Sequence, residues 1–179
     1  MEASHYKKSV LHELRRLKQL ADSAIAQLHD DEFFRTLDAE TNSVAINVKH
    51  IAGNLCSRWR DFLTTDGEKP DRHRDREFIL DAQDTQEQLL ERWEKGWALQ
   101  EDTIASLRPE EFEQAVTIRG EPHSVVQAIN RNVSHLGYHV GQIVLSARNL
   151  RGSGWQTLSI PRGQSREFNS HPASYLRER

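Results

Sequence analysis

Cysteine is almost absent from this chain. Cys56 is the only one in 179 residues, which excludes an internal disulfide and any multi-cysteine zinc or iron–sulfur site. Histidines and carboxylates are then the strong metal ligands that remain. Long apolar runs are also missing, so no segment is expected to span a bilayer, and Met1-Glu2-Ala3-Ser4-His5 lacks the charged-then-apolar layout of a secretory signal. A cytoplasmic protein is expected. There is no basic surplus: Lys+Arg 24 against Asp+Glu 27 leaves a net charge of −3, with no local basic run to grip nucleic acid phosphates or an anionic membrane. Neither kind of partner is expected. No glycine-rich phosphate loop, Ser/His/Asp order or pair of catalytic carboxylates stands out, so no catalytic residue can be named from motif alone. The chain does hold 36% apolar residues, enough for one core in a chain of single-domain length, and nine histidines.

Apolar residues recur at spacings of three and four in four stretches. The first, Ser4 to Leu28, aligns Val10, Leu14, Leu17, Ala21, Ile25 and Leu28. The second, about Asn42 to Leu63, carries Val44, Val48, Ile51, Leu55 and Phe62. The third, about Asp81 to Leu107, is anchored by Leu89, Leu90, Trp93, Trp97 and Ile104 and stopped by Pro109. The fourth, Ser124 to Leu150, presents Val126, Ile129, Val133, Leu136, Val140, Ile143 and Ala147. Short connections make an all-α fold, an antiparallel four-helix bundle, the economical architecture. Ala115 to Pro122 has β-formers around a Gly and a Pro, which predicts a small β-hairpin or extended loop before the last helix. The bundle is expected over 1–151. Residues 152–179, Gly-, Ser- and Pro-rich but flecked with Trp155, Leu158, Ile160 and Phe168, are expected to form an extended C-terminal tail packed on the bundle or on a partner subunit.

The two halves echo each other. Leu28-His29-Asp30-Asp31-Glu32-Phe33 and Leu107-Arg108-Pro109-Glu110-Glu111-Phe112 share a leucine, an acidic pair and a phenylalanine at the same offsets. Asn47-Val48-Lys49-His50-Ile51-Ala52-Gly53 resembles Asn132-Val133-Ser134-His135-Leu136-Gly137-Tyr138 in the same way. A helix pair facing its own copy across a pseudo-two-fold axis would bring His50 opposite His135. His139 follows His135 by one helical turn, where both imidazoles can reach one metal. Beside the apolar faces, Asn47, His50, Asn54 and Arg58 form one polar stripe, and Asn132, His135, His139 and Gln142 another; together they make a candidate pocket wall. Hydrogen-bonded histidines in a polar seam are the rival reading.

These residues carry a resemblance to the DinB-like superfamily of bacterial four-helix metal-binding proteins. It covers about Ser4 to Leu150, and its most specific features are His50 and the run His135-Leu136-Gly137-Tyr138-His139-Val140-Gly141-Gln142. Thr157 to Gly163 is similar to one largely uncharacterised branch. The resemblance implies one divalent metal, zinc or nickel, held by a second-helix histidine and two fourth-helix histidines, here His50, His135 and His139. It also implies a homodimer, which three helix-borne tryptophans and the apolar-flecked tail favour. Superfamily members with known activities use low-molecular-weight thiols as cosubstrates.

Three neutral imidazoles leave a tetrahedral metal one open position, the arrangement of catalytic rather than structural zinc, where a coordinating thiol is deprotonated. A metal-dependent thiol S-transferase acting near Arg58 and Gln142 is therefore one expectation. The other is a non-enzymatic stress or scaffold protein with a structural metal. Competing motifs fail: His12-Glu13 is followed by Arg16 where a zincin helix needs a second histidine, and the single Glu2-Ala3-Ser4-His5 cannot make a di-iron site. His29, His73, His123 and His171 fall in predicted loops or the tail, with His123 just ahead of the last helix near the pocket mouth. Cys56, beside Leu55, is expected to be buried and unreactive, and Trp59, Trp93 and Trp97 to fill core or interface.

Overall fold

Three of the long helices start where the sequence supplies a cap. Ser43, Thr85 and Ser124 each accept a hydrogen bond on the side-chain oxygen from the backbone N–H three residues on, a device worth about 1 kcal/mol per helix. A computed structural model describes residues 2–170 of the chain. It is mostly helical, 66%, with six helices and one two-stranded antiparallel sheet among the described residues. In chain order these are α1 (Ala3–Ile25), α2 (Asp30–Phe34), α3 (Val44–Trp59), α4 (Gln86–Ser106), β1 (Ala115–Ile118), β2 (Glu121–Ser124), α5 (Val125–Arg151) and α6 (Ser165–Ser170). Among the described residues, no helix is long and apolar enough to cross a membrane.

The periodic faces read from the sequence meet in one core. α3 packs chiefly on α4, and α1 on α5. Ile51, Leu55 and Trp59 of α3, Leu89, Trp93 and Ile104 of α4, and Ile129, Leu136 and Ile143 of α5 are all fully buried. At about 1.5–3 kcal/mol per large apolar side chain, this burial is the main stabilising contribution. The α3–α4 approach is close enough that a Cβ on Gly96 would sit 3.1 Å from Leu55 Cβ and 3.3 Å from the Ala52 carbonyl oxygen. Trp59, Trp93 and Trp97 are all buried in this core.

Two helices are shorter than their periodicity predicts. α3 stops at Trp59 rather than near Leu63 because Arg60 is extended and Asp61 turns left-handed, with φ 49°. α4 starts five residues after Asp81 because Asp84 is engaged elsewhere: its carboxylate accepts from Asp81 N at 2.8 Å and from Lys49 Nζ at 2.6 Å. The repeated acidic motifs fold alike. Glu32 accepts from the His29 backbone N–H at 2.9 Å and Glu111 from that of Arg108 at 2.7 Å, with Phe33 and Phe112 buried behind them.

The expected hairpin is present. β1 and β2 pair from Ala115 with Ser124 to Ile118 with Glu121, turning through Arg119 and Gly120 at φ 56° and 75°, the left-handed pair of a tight two-residue turn. Asp66 clamps that turn, accepting from Arg119 N and Gly120 N at 2.8 Å each, while Gly67 N donates to Thr117 O at 2.7 Å. The chain after α3 is thereby held against the hairpin. Of the tail, Trp155 and Leu158 are partly buried on the core and Gln156 exchanges two hydrogen bonds with Gln27, whereas Ile160 and Phe168 are exposed. Residues 171–179, with the rest of the expected tail and His171, lie outside the described residues.

Candidate metal centre

α3 and α5 cross with their polar stripes facing each other, and the offset of the sequence repeat appears directly in the contacts. His50 Nε2 lies 3.2 Å from His135 Nε2, across an interval of 85 residues. His139 Nδ1 meets Asn47 Oδ1 at 3.0 Å, and the mirror-related pair, Asn132 Nδ2 and Asn54 Oδ1, meets at 3.4 Å. His50 and His135 thus straddle the pseudo-two-fold axis, and divergence of one half, Asn54 against His139, makes room for a third imidazole.

Two of the rings have an outer hydrogen-bond partner that places a proton. His50 Nδ1 lies 2.8 Å from Glu77 Oε2. Burial raises the Glu77 carboxyl, but hydrogen bonds from His50 and Arg72 outweigh it and hold the group below its ordinary range, so it is ionised and can only accept. His50 Nδ1 therefore carries a proton, which in the neutral tautomer leaves the lone pair on Nε2. Asn47 Nδ2 donates to Ser43 O at 3.1 Å, which orients Asn47 Oδ1 toward His139 and leaves His139 Nε2 unprotonated by the same logic. His135 Nδ1 is buried without a hydrogen-bond partner. A proton on that atom would turn its Nε2 lone pair toward the other two.

The three rings are close, with centroids 4.6–5.3 Å apart and one ligand nitrogen from each within 4.8 Å of the others. Two nitrogens on one tetrahedral zinc are separated by about 3.3 Å, given Zn–N bonds of about 2.0–2.1 Å. The His50–His135 separation matches that edge. Burial, then the neighbouring histidines and arginines, pushes His135 down to about 3, and burial and His50 push His139 down to about 4. Both rings are neutral at physiological pH, as ligands must be. A carboxylate or amide oxygen on the far nitrogen is the usual outer support of metal-bound histidine. These residues fit a divalent metal.

Residues 1–164 match the model of a family described as Protein of unknown function (DUF1572). The chain belongs to the DUF1572 family. No match was found among curated proteins or among solved structures. For this DUF1572 protein, function therefore has to be argued from the site itself.

The histidines line one end of a cavity of about 400 Å³. Asn54, Arg58, Asn132 and Gln142 line it as well, whereas Asn47 is buried behind His139. The sequence reading missed most of the remaining wall: Arg72, Arg74, Phe78, Arg119, Arg131 and Tyr138. It also missed Glu77, which is held by Arg72 through Nε and Nη2 at 2.8 Å each. Phe78 packs on the His50 ring at 4.6 Å between centroids. The signal available was the charged run Arg72 to Phe78, which ends in a 3-10 turn, Arg74–Phe78, packed against α3 and easily read as a solvated loop. His123 is not in a loop but on β2, where its Nε2 meets Arg131 Nη1 at 3.0 Å. Cys56 is exposed rather than buried, since it lies on the outward side of α3 next to Leu55; desolvation still raises its thiol pKa, so it is no ready nucleophile.

Proposed function

We propose that this protein is a divalent-metal-dependent enzyme of DinB-like type, an antiparallel four-helix bundle whose three-histidine site works with a low-molecular-weight thiol. His50, His135 and His139 would hold the metal, zinc or nickel. When bound, the metal supplies Lewis acidity that favours the thiolate of a small thiol at neutral pH. The protein's own part is to orient the His50 and His139 imidazoles through Glu77 and Asn47, and to receive the electrophile in the adjoining cavity. The observation that supports an enzyme over a structural site is the cavity of about 400 Å³ that all three histidines line. One amide oxygen that could close the site as a fourth ligand, Asn54 Oδ1, accepts instead from Asn132 Nδ2 at 3.4 Å.

The test is a screen of zinc- and nickel-loaded protein with glutathione and cysteine against electrophiles, reading thiol consumption. Acceleration that disappears in folded His50→Ala is expected. If no electrophile is accelerated and thiols leave the visible spectrum of the cobalt-substituted protein unchanged, the metal is structural and the enzyme reading is refuted.

A further inference from the structure

Five arginines, Arg58, Arg72, Arg74, Arg119 and Arg131, line the same cavity, and no carboxylate is among its lining residues. Two are largely spoken for. Arg72 bonds Glu77 and, through Nη1, Glu68 at 2.9 Å; Arg74 lies over the Phe78 ring with an exposed Asp75 at 3.4 Å. Arg119 has Glu68 at 3.4 Å, and Arg131 meets the His123 ring at 3.0 Å with no carboxylate in ion-pair distance among the described residues.

Arg58 differs from all of them. It is 7% exposed, no carboxylate lies within ion-pair distance of it among the described residues, Glu68 attracts it only at longer range, and its buried Nε has no hydrogen-bond partner. A buried cation without an ion-pair partner is destabilising. Burial, and then the positive charges of Arg131 and Arg72, outweigh the attraction of Glu68 and lower its pKa to about 10. The fold nevertheless makes room for it. A Cβ on Gly67 would lie 2.8 Å from Arg58 Cδ and 3.0 Å from its Nε, so only glycine there lets the side chain lie under the hairpin. The clamp of Asp66 on the hairpin turn keeps that glycine in place.

We propose that this cavity binds a small molecule bearing a doubly charged oxyanion group, a phosphate monoester or a pair of carboxylates, with Arg58 as its central partner and Arg119 and Arg131 at the mouth. A planar guanidinium offers such an oxyanion paired N–H donors, and the surrounding positive field adds to the attraction. The inference deepens the reading of the metal centre and rests on it only in assigning this molecule as substrate; the binding itself does not require the metal.

The experiment is calorimetric titration of the full chain, first stripped of metal and then zinc-loaded, with inorganic phosphate, succinate and the neutral isostere succinamide. Phosphate or succinate is expected to bind on the order of tenfold or more tighter than succinamide, the gain typical of charge-assisted bonds. Tighter phosphate assigns the monoester and tighter succinate the dicarboxylate. Arg58→Gln should lose that preference, keep the zinc content of the parent and melt no lower than the parent, because it removes an uncompensated buried charge. Should it fail to fold, the exposed pair Arg119→Gln, Arg131→Gln provides the same readout, and Lys95→Gln on the outer face of α4 should bind as the parent does. Equal binding of succinamide and succinate, or full anion affinity in both arginine variants, would overturn the proposal. Loss of zinc with anion binding intact would instead count against the metal reading alone.

Discussion

Replacing Glu77 by glutamine separates the two jobs that this carboxylate does. Toward His50 it is the acceptor that fixes the Nδ1 proton and the ring orientation; toward Arg72 it is the counter-ion of a guanidinium whose side chain is 5% exposed. Outer-sphere partners of this kind are worth about 10–100-fold in metal affinity, or about 1.4–2.7 kcal/mol. Breaking a buried ion pair costs about 3–5 kcal/mol, and the lower end applies here because Arg72 keeps Glu68 at 2.9 Å. For a chain of this size a loss of about 3 kcal/mol lowers Tm by about 6–12 °C. Zinc affinity is read by competition with a chromophoric chelator, and Tm by circular dichroism in EDTA. Adding Arg72→Gln to Glu77→Gln should restore much of the Tm, since no lone cation is left, yet leave zinc affinity low. A Glu77→Gln affinity within about threefold of the parent, well short of the usual outer-sphere effect, would refute the support role. So would an affinity that recovers together with Tm in the double variant.

Gly53→Ala reaches the same carboxylate from behind: its Cβ would fall 2.3 Å from Glu77 Oε1, so zinc affinity should drop by about tenfold or more while the far-UV spectrum is unchanged. An unaltered zinc affinity would show that Glu77 has slack that the structure does not indicate. The acid response of metal-free protein follows from His135 and His139, whose folded values of about 3 and about 4 lie below the ordinary 6.5. Neutral rings are favoured by the fold, so their stabilising contribution is complete above about pH 6.5 and is lost as pH falls through about 4 toward 3. His135→Gln, His139→Gln should flatten that part of the urea-midpoint profile between pH 6.5 and 4; an identical profile would assign the acid sensitivity elsewhere.

Much of this fold was legible because helices announce themselves by period. Every apolar face named from the sequence is turned to the core, and the repeated Asn-x-x-His by itself places two rings across an axis. His139 was legible because one helical turn is a fixed distance. Glu77, Arg72 and Arg74 were not, since they come from an irregular segment whose docking is decided by tertiary contacts with α3. Nor was the isolation of Arg58, because a missing counter-charge is a property of everything around a residue and cannot be read from the residue itself. Cys56 was misplaced by adjacency: neighbours on a helix point about 100° apart, so a buried Leu55 says little about the next side chain.

The central claim is that three histidines from α3 and α5 hold one divalent metal. Anomalous diffraction from crystals of zinc-loaded protein, collected on both sides of the zinc absorption edge, tests it most directly. The account predicts a single strong peak per chain about 2.0–2.1 Å from Nε2 of His50, His135 and His139, with Glu77 still on His50 Nδ1. A peak held by any other set of side chains, or none between these rings in protein carrying stoichiometric zinc, would contradict it.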